Sequence, residues 1–303
     1  LNKLYTMITF IISLVLITNQ NDLKGFENKE TAEYYAKIIG CEGYFESNIN
    51  GSTYFFPCQN KDELQAIMQR REIEPKVTEL WDPEPKVVDP GNSFGDAPSD
   101  AIVLFDGSNL NNWIHKDGEP ANWDLNEGYF TVKPGSGSIL TKQSFGSCQL
   151  HIEFMTPSVI VSEGQGRGNS GVYFMEDPDR PGDTGYEIQV LDSYNNRTYS
   201  NGQAGSVYKQ HIPLVNASKK PGEWQAYDII FKAPVFSESG NLESPAYVTV
   251  FHNGVLIQNN VQIQGYVKFI GYPEYRAHPS KLPIKLQDHS NLVSYRNIWV
   301  REL

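Results

Sequence analysis

An all-β fold, two antiparallel sheets packed as a jelly-roll sandwich behind a small N-terminal α+β module, follows from three features of the sequence. From residue 100 onward, eleven short runs mostly alternate apolar and polar side chains. In CQLHIEFM, for example, Leu150, Ile152 and Phe154 stand against Gln149, His151 and Glu153. Side chains two apart share a strand face, so such a run has one dry and one wet side, as a two-layer sandwich requires. The residues between runs are turn formers, with 25 Gly and 18 Pro in 303 residues, and they break the chain before long helices can form. The 17 Tyr and 15 Phe suit pleated, half-buried surfaces.

Taken in order, Lys3 precedes an apolar run from Met7 to Ile17, and polar Thr18 to Gln20 close it. Residues 1–20 therefore read as a signal peptide, the run being short of the roughly 20 apolar residues of a membrane span. Export to the periplasm or the cell exterior is expected, with no stable membrane association once the signal is removed. Residues 27–80 form the small module. Ala32, Tyr35, Ala36, Ile38 and Ile39 recur at helical spacing before Gly40, and GYFES and STYFFP flank Asn50-Gly51, a hairpin signal. KDELQAIMQRR (61–71) predicts a second helix. So small a module buries little core, and Cys41 and Cys58 are placed to staple it in an oxidising compartment, while unpaired thiols remain the alternative. Residues 81–99 carry four prolines and two glycines and read as an extended linker. The sandwich spans 100–303.

The formal charge of −11 supplies no cationic footprint for phosphate backbones, so nucleic acid is excluded as a partner. Carbohydrate fits better, since aromatic faces bind it. No Cys/His cluster points to zinc, and no cofactor is fixed by the sequence, with a divalent cation left open. The EDPDRPGD loop offers Asp177, Asp179 and Asp183 to a hard divalent cation, or is an acidic surface turn. GQGRGNSG (164–171) lacks the Lys-Ser/Thr and following helix of a phosphate loop and reads as a loop that lets backbone approach a ligand.

Three polar segments interrupt the strands. Gly168-Asn169-Ser170-Gly171 is the first. In Tyr186–Asp192 (YEIQVLD), Glu187 and Gln189 share one face and Ile188 and Val190 the other. Glu187 could then act as a general base and Gln189 could bond a sugar hydroxyl, unless both lie on a solvated face. In Leu286-Gln287-Asp288-His289, Gln287 and His289 share a face, presenting an amide and a titratable imidazole. Arg296 and Asn297 on the next run point to opposite faces unless a bulge intervenes, and Arg296, with its fixed donors, is the candidate to polarise a carbonyl.

LFDGSNLNNWIHKDG, WDLNEGYFTVKPGSGSILT, GNSGVYF, YEIQVLD, GSVY (205–208), PGEWQAYDIIFKA, VFHNGVLI and LQDHSNLVSYRNIWVREL follow one another through about two thirds of the chain. In this order they resemble the 3-keto-disaccharide hydrolase domain family, whose fold is related to concanavalin-like lectins and glucanases. Two positions depart from its pattern: Tyr295 replaces a phenylalanine before Arg-Asn, and Gln225 an asparagine after Trp224. The resemblance implies cleavage of a glycosidic bond in a sugar already oxidised at carbon 3, by removal of the C2 proton and elimination of the C1 substituent. On that reading Glu187 or His289 is the base and the other the acid. Arg296 and Gln287 polarise the ketone, Asn169, Gln189 and Asp192 hold hydroxyls, and Tyr208 and Trp224 line the sugar. Two alternatives stand beside it. One is a conventional glycoside hydrolase of concanavalin-like fold, although Gln189 occupies the place of the middle acid in its Glu-x-Asp-x-x-Glu strand. The other is a non-catalytic carbohydrate-binding module.

Overall fold

The computed structural model describes residues 25–71, 79–180, 182 and 184–303. The expected signal peptide lies outside the described residues. The chain divides into two compact units, 1–86 and 87–303.

In the first unit, helix α1 (Lys29–Ile39) begins where the Asn28 side chain accepts the Thr31 N–H at 2.8 Å and ends at Gly40, whose φ of 80° only glycine adopts at low cost. Strands β1 (Tyr44–Ile49) and β2 (Ser52–Pro57) pair antiparallel across Asn50-Gly51, both at positive φ as a two-residue hairpin demands. Helix α2 (Lys61–Arg71) follows. A Cys41–Cys58 disulfide sits in a small core with Ala36, Phe56 and Leu64.

The second unit is a sandwich of two antiparallel sheets. The smaller runs β10 (Tyr186–Val190), β9 (Ser170–Phe174), β16 (Lys285–Leu286), β7 (Ile139–Thr141) and β4 (Trp113–His115) in spatial order. The larger runs β15 (Val255–Gln262), β14 (Tyr247–His252), β11 (Gln225–Lys232), β8 (Cys148–Met155), β17 (Ser294–Glu302), β6 (Tyr129–Thr131) and β5 (Asp124–Asn126), with β3 (Ile102–Phe105) also paired to β17, while β12 (Val235–Phe236) and β13 (Leu242–Ser244) form a separate ribbon. The alternation places Leu150, Ile152 and Phe154 of β8 in the core with Val172 and Phe174 of β9 and Ile188 and Val190 of β10. Burying these faces from both layers supplies the driving force, at about 25 cal/mol per Å² of apolar surface.

Two expectations are revised here. The boundary falls after Lys86, and residues 87–99 belong to the sandwich. The Gly95 carbonyl accepts from Asn297 Nδ2 and Trp299 Nε1, each at 2.9 Å. The wet face of β8 is also partly dry, because His151 is buried. The Trp299 ring stacks on it at 5.3 Å, and Gly95 lies against it where a Cβ would come within 3.2 Å of the imidazole. His151 Nδ1 pairs with Asp228 Oδ1 at 2.6 Å, and Nε2 lies 3.8 Å from Glu153 Oε1. Burial opposes charge on this ring, but the hydrogen bonds and attraction of Asp228 and Glu153 outweigh it and raise the imidazole to about 9.

This His151 cluster predicts a stability profile. Because the folded value exceeds that of an unfolded histidine, its contribution is whole below pH about 6.5 and is lost as pH rises through about 9. The urea midpoint of the wild type should fall across that window, and His151→Gln should flatten the fall. An unchanged slope in the variant would contradict the assignment.

Candidate functional site

The small sheet turns one face to the core and the other to an open cleft of about 400 Å³. Strand register decides what stands there. Glu187 of β10 is opposite Tyr173 of β9, and Tyr173 is opposite Lys285 of β16. These three side chains form one transverse row, since residues paired across antiparallel strands share a face. One pleat along, Gln189 is opposite Gly171. Gly171 has no Cβ, and one placed there would lie 2.6 Å from Glu187 Oε1 and 2.7 Å from the Tyr173 ring. The carboxylate therefore lies over the strand in the space a side chain would fill.

Asn169, Glu187, Gln189, Tyr208, Gln287 and His289 all line this cleft. The structure thus gathers six of the eight predicted site residues. Glu187 and Gln189 do not lie on a solvated face: they are 3% and 1% exposed. The Gln189 amide donates to Asn169 Oδ1 at 3.2 Å and to Gln165 Oε1 at 3.3 Å. Asn169 Nδ2 in turn donates to the Gln165 carbonyl at 2.6 Å, so backbone fixes which way both amides face. Gln287 donates to the Tyr173 hydroxyl at 3.0 Å. His289 is exposed at the rim, while Asp288 turns away and accepts the Gly135 and Gly137 amides at 2.8 and 3.1 Å. Tyr208 shares a 2.6 Å hydrogen bond with Tyr199; burial, that bond and charge repulsion, including from Glu187, push its hydroxyl well above the usual tyrosine value.

The remaining two predicted residues lie elsewhere. Asp192 is buried in a pair with Arg167, Nε to Oδ2 at 2.7 Å, and accepts the Tyr194 amide at 3.1 Å. Its oxygens hold the glycine loop and not a sugar hydroxyl. Arg296 belongs to the large sheet, where Nε donates to Glu153 Oε2 at 2.6 Å and the guanidinium lies 4.2 Å from the Trp224 ring. It does not line the cleft, and neither does Trp224. A register shift between Arg296 and Trp299, with Asn297 at a φ of 44°, lets Asn297 reach the same Glu153 at 2.9 Å. Within the acidic loop, Asp177 binds Arg180 at 2.9 Å and Asp183 lies outside the described residues. Among the described residues no group of three His, Cys, Asp or Glu is arranged to hold a metal ion.

Sequence reasoning missed Tyr173, Lys285 and a wall formed by Val267–Ile270. Tyr173 is two residues from Gly171, so parity would have placed it on the cleft side, and Lys285 stands beside it in the same row without lining the cleft. The Lys285 ammonium lies 3.8 Å from the Tyr173 ring centroid and 3.0 Å from Glu176 Oε2. The Val267–Ile270 wall has no period to betray it.

The family model of the 3-keto-alpha-glucoside-1,2-lyase-like domain matches residues 100–301. The chain belongs to this family. A protein of Parabacteroides distasonis ATCC 8503, described as a "putative glycosyl hydrolase", is 48% identical; the match covers 76% of this chain and 97% of that one, with a TM-score of 0.70. A second structure from the same organism, under the same description, is 19% identical, covers 67% and 94% of the two chains with a TM-score of 0.51, and agrees in fold. No curated protein matches the chain. The lyase-like domain is a carbohydrate-active protein.

The buried pair beside the cleft gives a stability prediction. Arg167→Met strands the Asp192 carboxylate without its cation, and should lower unfolding stability by about 3 kcal/mol in urea titrations. A loss under about 0.5 kcal/mol would place Asp192 in contact with water instead.

Proposed function

We propose that the lyase-like domain cleaves glycosides already oxidised to a ketone at carbon 3, by elimination across C1 and C2. One observation carries this reading: Glu187 is the single carboxylate among the described residues that line the cleft. Ordinary glycoside hydrolysis uses two, roughly 5–10 Å apart, around an oxocarbenium-like transition state. Elimination from a 3-keto sugar needs only one base, because the ketone acidifies the neighbouring C2–H.

In the proposed step Glu187 takes the C2 proton, and the electron pair of that bond forms the enolate. Gln287, through an amide hydrogen, stabilises the developing charge on the C3 oxygen. The enolate then re-forms the ketone, the pair becomes the C1=C2 bond, and the C1–O bond breaks. His289 at the rim gives the departing oxygen its proton. Water adding to C1=C2 afterwards returns a free 3-keto sugar. Gln189 and Asn169 hold ring hydroxyls. The Cys41–Cys58 disulfide agrees with the expected periplasmic or secreted setting, where such bonds persist.

The test is aglycone release from a 3-keto-glucoside and from its unoxidised parent. Turnover of the keto form alone is expected. Glu187→Gln should lower kcat/KM by about a thousandfold and His289→Ala by roughly a hundredfold. Arg296→Ala, away from the cleft, should stay within about threefold of wild type. Turnover of the parent would overturn the proposal in favour of ordinary hydrolysis, and binding without turnover would make the domain a carbohydrate-binding module.

A further inference from the structure

The cleft has two chemically different sides. Its sheet side is polar, with Glu187, Gln189 and Gln287. Facing residues Val267, Phe269 and Ile270 belong to one loop and are apolar. Phe269 is 69% exposed and Ile270 82%, two large hydrophobic neighbours left open on the cleft.

Three polar groups of this wall are already engaged. The Phe269 carbonyl accepts from Lys209 Nζ at 2.5 Å, and Lys268 Nζ pairs with Glu274 at 2.9 Å. The Val267 amide donates to the Gly185 carbonyl at 3.0 Å. The wall therefore offers a ligand apolar contact and few hydrogen bonds. It is also held in place, since the Lys209 ammonium bonded to the Phe269 carbonyl lies 4.2 Å from the ring centroid of the same residue. A wall set before binding spends little ordering entropy on a ligand.

We propose that Val267, Phe269 and Ile270 form the leaving-group subsite, and that it takes a flat apolar aglycone such as an aryl ring in preference to a second sugar. The inference rests on reading the Glu187 side as the sugar site. A second sugar brings a ring of hydroxyls that must be desolvated, and the exposed side chains of Phe269 and Ile270 offer them no hydrogen bonds. An aryl ring carries no such cost and stacks or packs edge-on against Phe269. The subsite is continuous with the cleft, which is why a small-molecule aglycone is assigned to it.

The experiment measures equilibrium binding by calorimetry to the Glu187→Gln protein, with and without Phe269→Ala and Ile270→Ser. The ligands are p-nitrophenyl 3-keto-glucoside, a 3-keto-disaccharide and free p-nitrophenol. The aryl glycoside should bind about tenfold more tightly than the disaccharide, and the loop substitutions should erase that difference while leaving the disaccharide within about twofold. Equal affinities at the outset, or equal weakening of both glycosides by the loop changes, would overturn the subsite. If neither glycoside binds, recognition of 3-keto sugars has failed and p-nitrophenol decides the subsite: saturable binding lost with the loop changes supports it, and absence of binding overturns it. Sedimentation of the same samples tests the remaining occupant, since a dimer that buries Phe269 would also overturn it. Both substitutions are at exposed positions, and an unchanged thermal midpoint verifies the fold; if the double variant melts early, Ile270→Ser alone is read by the same criteria.

Discussion

The absence of one side chain governs the cleft. Gly171 is the second residue of β9, opposite Gln189 of one neighbouring strand and bonded through its carbonyl to the Gln287 amide on the other side. Any larger residue would meet the Glu187 carboxylate and the Tyr173 ring at under 3 Å. Glycine within a strand is costly by itself, because it orders flexible backbone and packs nothing. Here that cost is offset by what the space admits: a carboxylate laid over the sheet, nearly excluded from water, with two amides beside it.

The rest of the sandwich holds that arrangement still. Tyr295 in the large sheet donates to Ser170 Oγ at 2.7 Å, and Ser170 Oγ donates to the Gln287 carbonyl at 2.6 Å. Tyr227, also in the large sheet, donates to the Gln189 carbonyl at 2.9 Å. Two buried phenols thus cross the core and fix the backbone of two cleft-lining residues. The Ser170 contact gives the Tyr295 hydroxyl a purpose. Gln225 accepts from the Lys219 amide at 2.8 Å and shares a 2.9 Å contact with His252 Nε2. Neither residue enters the cleft.

Period-two alternation carried much of this into the sequence. It separated Glu187 and Gln189 from Ile188 and Val190, because a strand has only two faces, and the same parity separates Gln287 and His289 from Asp288 just past the end of β16. It failed where tertiary packing intervened. His151 has the parity of a wet position yet is buried by a segment over fifty residues earlier, and no local pattern reports that. Arg296 was assigned to the cleft by its chemistry alone, whereas the strand that carries it is in the other sheet, paired to Glu153. Asp192 has the polarity of a ligand and the partner of a structural residue. The Val267–Ile270 wall is set by a loop whose path depends on Gly185 and Lys209, contacts without a sequence period.

In the proposed elimination a C–H bond at C2, and not protonation of an intact acetal, opens the route to cleavage. A 3-keto-glucoside carrying deuterium at C2 tests it most directly, with kcat/KM compared against the protio substrate and the product examined for retained label. Elimination should give a normal primary isotope effect and loss of deuterium from C2 to solvent during turnover. Cleavage with no isotope effect and with the C2 deuterium retained in the product would contradict it.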